Sequence, residues 1–170
     1  MKRLLVAVIV AANISVFAWR ATADSPDALR KTLQSLYDQS CTAIDRKDVL
    51  GADSIDTPDY TVVDDKGMSH NLAEQRQHAF QIFRRQEIVK LTVHIDKLTV
   101  TATNVIADVT QHLYMKYTNA KSQHVFVTDQ TATQRDTWIK QDKKWRRSHG
   151  EARSMRVLVN GKLEYSFTKK

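Results

Sequence analysis

The main period of the hydrophobic pattern in this 170-residue chain changes near Glu87. Before Glu87, apolar residues recur every three or four positions, which is typical of one face of an α-helix. The first such stripe contains Leu29, Leu33, Leu36, Tyr37, Cys41 and Ile44. After Glu87, apolar and polar residues alternate as they do in strands. Helices followed by a run of strands predict an α+β fold, with N-terminal helices packed on one face of an antiparallel sheet.

Capping residues define where the helices begin. Ser25-Pro26 offers a hydroxyl cap and a proline at the first helical position, and Asp48 can cap a short second helical piece. Thr57-Pro58-Asp59 is expected to end that piece, and a short strand is expected at 60–63. Asn71 and Glu74 have the spacing of a capping box and predict a second long helix that ends near 84–85.

The strand half carries one bulge signal and one turn signal. The apolar phase moves between Ile95 and Leu98, which predicts a β-bulge near 96–97. Strands are expected at 125–140 and 145–153, and Asn160-Gly161 predicts a last hairpin. Long, bulged strands bend, so the helices and the strongly curved sheet are expected to enclose a cone.

The N-terminus has the three parts of a secretory signal peptide. Lys2 and Arg3 precede an uncharged run, and Ala21-Thr22-Ala23 supplies an A-x-A site. The run is too short for a membrane span, which needs about 20 residues. We therefore predict that residues 1–23 are cleaved and that 24–170 form a single domain, exported to the periplasm or secreted.

A basic, aromatic segment near the C-terminus raises the question of nucleic acid. The segment "DTWIKQDKKWRRSH" mixes its basic residues with Asp136 and Asp142, and removal of Lys2, Arg3 and Arg20 lowers the net charge from +7 to 7 − 3 = +4. A single-strand platform needs exposed aromatics on a positively charged groove. We interpret the segment as two strands around a polar turn, and expect no nucleic-acid partner.

Cysteine and histidine spacing indicates neither a disulfide nor a metal. Cys41 is the only cysteine, lies on the apolar stripe of the first helix and is expected to be a buried thiol. The histidines show no H-x-x-x-H or H-x-H spacing, so no zinc site and no cofactor are predicted.

The order of these elements resembles one family. A capped first helix, "YTVVDDKG" after the short helical piece, a second helix and the "DTWIKQDKKWRRSH" hairpin are similar to the nuclear transport factor 2-like (NTF2-like, or cystatin-like) superfamily. The secreted SnoaL-like and ketosteroid-isomerase-related members are the most similar. The resemblance implies a cone whose interior is a ligand or active-site cavity, often with dimerisation through the sheet.

The resemblance also implies candidate site residues. Asp64 stands where isomerase-type relatives carry a general base, although an Asp before a Gly-containing turn is also an ordinary hairpin residue. Ser40, and not Tyr37, aligns with the oxyanion-donating tyrosine of those relatives. Dehydratase-like members use histidines, which makes His112 a second catalytic candidate, although the alternation along its strand puts the apolar row inward and His112 on the opposite face. The pocket candidates are Tyr37, Tyr60, Arg135 and His149, the last because it is expected to share a strand face with Trp145 and Arg147.

Three functions follow from these expectations. The first is binding of a small hydrophobic ligand or a partner in or around the cone. The second is a cofactor-independent lyase or isomerase, dehydratase-like or ketosteroid-isomerase-like, with Asp64 as base and His112 or Tyr60 assisting. The third is an interaction module that forms a homodimer through the sheet.

Overall fold

The computed structural model describes residues 25–169, so the predicted signal peptide lies outside the described residues. Helix α1 spans Pro26–Asp45, α2 spans Val49–Ala52 and is followed by a 3-10 turn at Asp53–Ile55, and α3 spans Leu72–Phe83. All three predicted caps are confirmed: Ser25 accepts from Ala28 N at 3.2 Å, Asp48 caps α2, and Asn71 and Glu74 form the capping box of α3. Within the described residues, no helix is both long enough and apolar enough to span a membrane.

Seven strands of the described residues form one sheet. Their bounds are β1 Asp56–Val63, β2 Ser69–Asn71, β3 Ile88–Val100, β4 Val105–Thr118, β5 Val125–Gln141, β6 Lys144–Val159 and β7 Lys162–Thr168. The order is β2-β1-β6-β5-β4-β3, and β7 pairs with the second half of β6. All pairings are antiparallel except β1 with β6, which is parallel.

The sequence placed two strand boundaries incorrectly. β1 begins at Asp56 and includes Pro58, whereas the sequence predicts a strand only over 60–63. Proline is tolerated here because it lies near the start of a strand. The helical piece does end at Ile55, before Thr57-Pro58-Asp59, as predicted. β6 continues to Val159 and does not end at Arg153, because a bulge allows the strand to bend without stopping.

Bulges decide which side chains face the helices. The predicted bulge in β3 is confirmed, since the pairing with β4 shifts between Ile95 and Lys97. β6 contains two more, where its pairing with β5 skips Ser148 and Arg153. Each skipped residue reverses the face on which the following side chains lie.

The core lies between α1 and the inner face of the sheet. Its fully buried members include Leu33, Ile95, Val109 and Trp138, and Cys41 is buried beside them as predicted. A smaller cluster of Val49, Phe83 and Val89 packs under the C-terminal end of α3. The two clusters hold α1 and α3 against the sheet, with a polar region between the helices and strands β1, β5 and β6.

Side chains of α1 bond to the backbone of β3, the last strand in the sheet order. The Gln34 amide donates to Val93 O at 2.7 Å and accepts from Ile95 N at 3.1 Å. Asp45 accepts from Leu91 N at 3.0 Å. These bonds fix α1 along the strand and orient its inner face toward the core.

Candidate functional site

A cluster of buried polar residues lies where β1, β5, β6 and α1 meet. β5 presents Gln134, Asp136 and Trp138 to the interior because they alternate on one face of the strand. Asp136 and Trp138 are both 0% exposed. A buried carboxylate is costly unless donors surround it, so the contacts of Asp136 determine what the cluster can do.

Asp136 accepts hydrogen bonds from three sides. Tyr37 OH donates to its Oδ2 at 2.5 Å, Gln134 Nε2 donates to its Oδ1 at 2.5 Å, and Arg147 Nη1 lies 3.4 Å from Oδ2. Trp138 Nε1 donates to Tyr37 OH at 3.1 Å, and the two rings meet edge to face with centroids 5.2 Å apart. An indole N–H can only donate, so the Tyr37 oxygen accepts from Trp138 and its proton points to Asp136. Burial, and then the negative charge of Asp136, raise the pKa of Tyr37.

Arg147 joins this cluster to a second buried carboxylate. Its Nε and Nη2 approach the two oxygens of Asp56 at 2.7 and 3.2 Å, a bidentate pair. Its guanidinium lies over the Tyr60 ring, 4.7 Å from the centroid. Burial raises the pKa of Asp56, and Arg147 opposes that shift. With both carboxylates ionised, the three charged groups carry a net charge of −1.

Gly150 lacks a side chain where the polar cluster approaches strand β6 most closely. A Cβ at this position would lie 2.6 Å from Tyr60 OH, 2.7 Å from Gln134 Nε2 and 3.0 Å from Asp136 Oδ1. The polar side chains therefore press directly on the backbone of β6, and only glycine leaves space for them.

A cavity of about 180 Å³ adjoins the cluster. One side is apolar and is formed by Ile44, Ala52, Leu91 and Val93. The other side is polar and is formed by Tyr37, Ser40, Asp53, Tyr60, Gln75, Gln111, Gln134 and Arg147. The cavity is thus amphipathic, with its only guanidinium among these lining residues on the polar side.

The structure brings two of the pocket candidates together and separates the others. Tyr37 and Tyr60 both line the cavity. Arg135 lies on the opposite face of β5 from Asp136 and pairs with Asp108 at 2.7 Å. The expectation that His149 shares a face with Arg147 is wrong: the bulge at Ser148 turns His149 outward, where its Nδ1 lies 3.0 Å from Thr61 Oγ1.

The two catalytic candidates lie away from the cavity. Asp64 follows β1 in the turn, where its Oδ1 accepts from the backbone N–H groups of Lys66 and Met68 at 2.9 and 2.8 Å. Its Oδ2 lies 3.0 Å from His70 Nε2, and this bond is the main cause of its lowered pKa. His112 is exposed on the outer face of β4, with its Nδ1 3.2 Å from Thr131 Oγ1.

Sequence reasoning missed four members of the site: Asp56, Gln134, Asp136 and Arg147. Asp136 lies in a strongly charged segment, and such a segment by itself indicates exposure to solvent. The available signal was its position two residues before Trp138 on the same strand face, which places it inward if the tryptophan is buried. Asp56 carried no such signal, because its strand was expected to begin later.

Within residues 25–169, no group of three or more His, Cys, Asp or Glu side chains has the arrangement of a metal site. The arrangement instead offers hydrogen-bond donors, aromatic faces and a partly apolar wall.

Comparisons with solved structures define the fold. A conserved protein from Planctomyces limnophilus is 11% identical, with 78% of this chain and 98% of that chain covered and a TM-score of 0.65. An NTF2-like superfamily protein from Salmonella enterica is 13% identical, covering 74% and 90%, with a TM-score of 0.57. The hexachlorocyclohexane dehydrochlorinase LinA-type3 from Novosphingobium barchaimii is 14% identical, covering 84% and 90%, with a TM-score of 0.56. No protein-family model and no curated protein matches the sequence.

The class that these observations define is an α+β cone, with helices on a curved, unclosed and mainly antiparallel sheet. This chain has the NTF2-like fold, and the resemblance inferred from its sequence is confirmed at the level of that superfamily fold. Its neighbours in structure include enzymes as well as proteins of no stated activity.

Proposed function

We propose that the chain binds a small molecule in the interior cavity, with the buried part of the ligand uncharged. The observation that carries this proposal is a guanidinium, that of Arg147, lining an amphipathic cavity inside the cone. Its side chain is only 15% exposed. Three of the five N–H groups of Arg147 face carboxylates, which leaves two to hydrogen-bond a ligand.

The size of the cavity limits the ligand. An apolar cavity of about 150 Å³ holds benzene, so the 180 Å³ found here suits a six-membered ring with one polar substituent. The apolar wall of Ile44, Leu91 and Val93 would contact the ring, and the polar substituent would face Arg147. This refines the expected hydrophobic ligand to an amphipathic one.

The charge of the cluster selects against anions. With Asp56 and Asp136 both ionised, their charge exceeds that of Arg147, so a carboxylate in the cavity meets one uncompensated negative charge. At about 5 Å and an effective dielectric constant of about 20, this repulsion is roughly 3 kcal/mol. A carbonyl or hydroxyl group avoids that repulsion.

The two other functions have less support. The lyase or isomerase hypothesis requires Asp64 in an apolar cavity, whereas its carboxylate closes a turn with two backbone N–H groups. The interaction hypothesis requires an apolar outer sheet face, whereas the outer positions around His112 include Thr110, Thr131 and Thr133. Binding inside the cone is therefore the function that we put forward.

The test is a titration of residues 24–170 with phenol, cyclohexanone and benzoate, followed by NMR. The indole N–H of Trp138, which bonds to Tyr37, is the reporter. Phenol and cyclohexanone should shift this signal in the millimolar range, and benzoate should bind at least tenfold more weakly. Val93→Phe should fill the cavity and abolish binding, whereas Val100→Phe, at an exposed position of the same strand, should not. An unmoved Trp138 signal with all three compounds would contradict the proposal.

A further inference from the structure

A groove outside the cone lies next to the cavity. It has a volume of about 500 Å³, runs between α3 and the β1–β2 hairpin, and is lined by Val62, Asp64, His70, Glu74, Gln75 and His78. Among these lining residues the formal charges are those of two carboxylates, with two histidines beside them. The groove is therefore chemically unlike the cavity, whose charged cluster contains an arginine.

Gln75 is the side chain common to both spaces. It lines the cavity and it lines the groove, so it forms the boundary between them. Strand β1 supports the same relation, because Tyr60 lines the cavity and Val62 lines the groove. Residues two apart on a strand lie on one face and about 7 Å apart, so one molecule of moderate length can reach both spaces.

The Gln75 side chain has an unpaired hydrogen-bond donor at this boundary, among the described residues. Its Nε2 is buried and has no hydrogen-bond partner among residues 25–169. A buried donor without an acceptor destabilises the protein. An acceptor on a ligand that passes between the two spaces would satisfy it.

Helix α3 is anchored at its ends and less buried in the middle. Its buried residues are Leu72 at the start and Phe83 at the end. Between them, Gln75 and Ala79 are half-buried and Phe80 is 46% exposed. The part of α3 that carries Gln75 is thus less buried than its two anchoring residues.

We infer that the groove is the second half of the ligand site, that Gln75 is the specificity-determining residue between the halves, and that the groove takes a cationic amine tail. This inference rests on the proposed function, because it assigns the uncharged ring to the cavity. The tail would pass Gln75 and place its ammonium group near Asp64 and Glu74. The ligand class is an uncharged, ring-sized head joined by a short chain to an amine.

Three phenols that differ only in their tails test this inference. They are phenol, tyramine with its aminoethyl tail, and 3-(4-hydroxyphenyl)propanoate with an anionic tail. NMR titration of residues 24–170 should show tyramine binding at least tenfold more tightly than phenol, and the propanoate more weakly than phenol. Tyramine should also shift the imidazole signals of His70 and His78, which phenol should leave in place.

Two variants with matched controls locate the tail. Glu74→Gln removes one charge from the groove while keeping a side chain that suits the capping box, and it should reduce the advantage of tyramine over phenol at least threefold. Glu164→Gln, exposed on β7, should not. Gln75→Trp should close the boundary and remove the advantage, whereas Gln77→Trp, exposed on the same helix, should keep it.

The outcomes separate the two proposals. If wild type binds phenol but binds tyramine no more tightly, or if Gln75→Trp keeps the preference for tyramine, the inference about the groove is wrong and the cavity proposal stands. If none of phenol, tyramine and cyclohexanone binds, both fall together. Should Gln75→Trp fail to fold, the tail series on wild type and Glu74→Gln decides the result.

Discussion

Adding one methyl group at Gly150 should disturb the polar cluster more than its size suggests. The new Cβ would lie 2.6 Å from Tyr60 OH, and ordinary contact begins at 3.4 Å, so the hydroxyl must move by about 3.4 − 2.6 = 0.8 Å. Gln134 Nε2, at 2.7 Å, must move as well, and it is bonded to Asp136. Overpacking of this kind costs about 1–3 kcal/mol. The lower chain entropy of alanine in the unfolded state returns about 0.4–1 kcal/mol, so we expect a net loss of roughly 1–2 kcal/mol.

Urea unfolding of wild type and Gly150→Ala measures this loss, and a double-mutant cycle identifies its cause. Tyr60→Phe removes the atom that the new methyl group would meet first. In that background Gly150→Ala should cost less, with a coupling of at least about 0.5 kcal/mol. An alanine variant as stable as wild type, or costs that simply add, would refute the close approach of the cluster to β6.

Three further predictions concern buried and paired groups. Asp136→Ala leaves the Tyr37 and Arg147 donors without their shared acceptor. It should lower the free energy of unfolding, measured in urea, by about 3–5 kcal/mol. A loss below about 1 kcal/mol would contradict the claim that these groups form a buried hydrogen-bond network. The bond to His70 lowers the pKa of Asp64 in the folded protein. Ionised Asp64 therefore stabilises the fold at pH values above its unfolded-state pKa, and this stabilisation is lost as the pH falls through its folded-state pKa. Carboxyl ¹³C NMR should show the Asp64 midpoint rising in His70→Ala, and an unchanged midpoint would remove the pair as its cause. Burial raises the pKa of Cys41 to about 11. This thiol should therefore react with a disulfide reagent at pH 8 only after denaturation. Rapid reaction in the folded protein would show instead that the Cys41 thiol is accessible.

Local signals in the sequence were enough to predict the elements, but not the faces of β6. Ser25, Asp48 and Asn71 cap helices through bonds to nearby backbone groups, so they can be recognised from sequence alone. The β3 bulge was also visible, because the apolar residues on each side of Asp96 change phase. In β6 the residues around Ser148 and Arg153 are almost all polar, so a change of phase leaves no apolar pattern to detect.

The candidate site was predicted only in part for a related reason. The resemblance to the NTF2-like superfamily is enough to predict Tyr37 and Tyr60 as pocket residues. Asp136 and Arg147 are harder to predict, since each charge is stabilised in the interior by a partner that is distant in sequence: Tyr37 lies 99 residues from Asp136, and Asp56 lies 91 residues from Arg147. Only the tertiary structure shows that these charges compensate one another.

The bonds from Gln34 and Asp45 to β3 have a consequence for the solubility of the folded chain. A terminal strand with free peptide groups is a template on which another chain can add a strand. Here an amide and a carboxylate from a helix occupy the N–H groups of Leu91 and Ile95 and the carbonyl of Val93, as a neighbouring strand would. The first helix thereby shields this margin of the sheet from intermolecular β-pairing and amyloid-like growth.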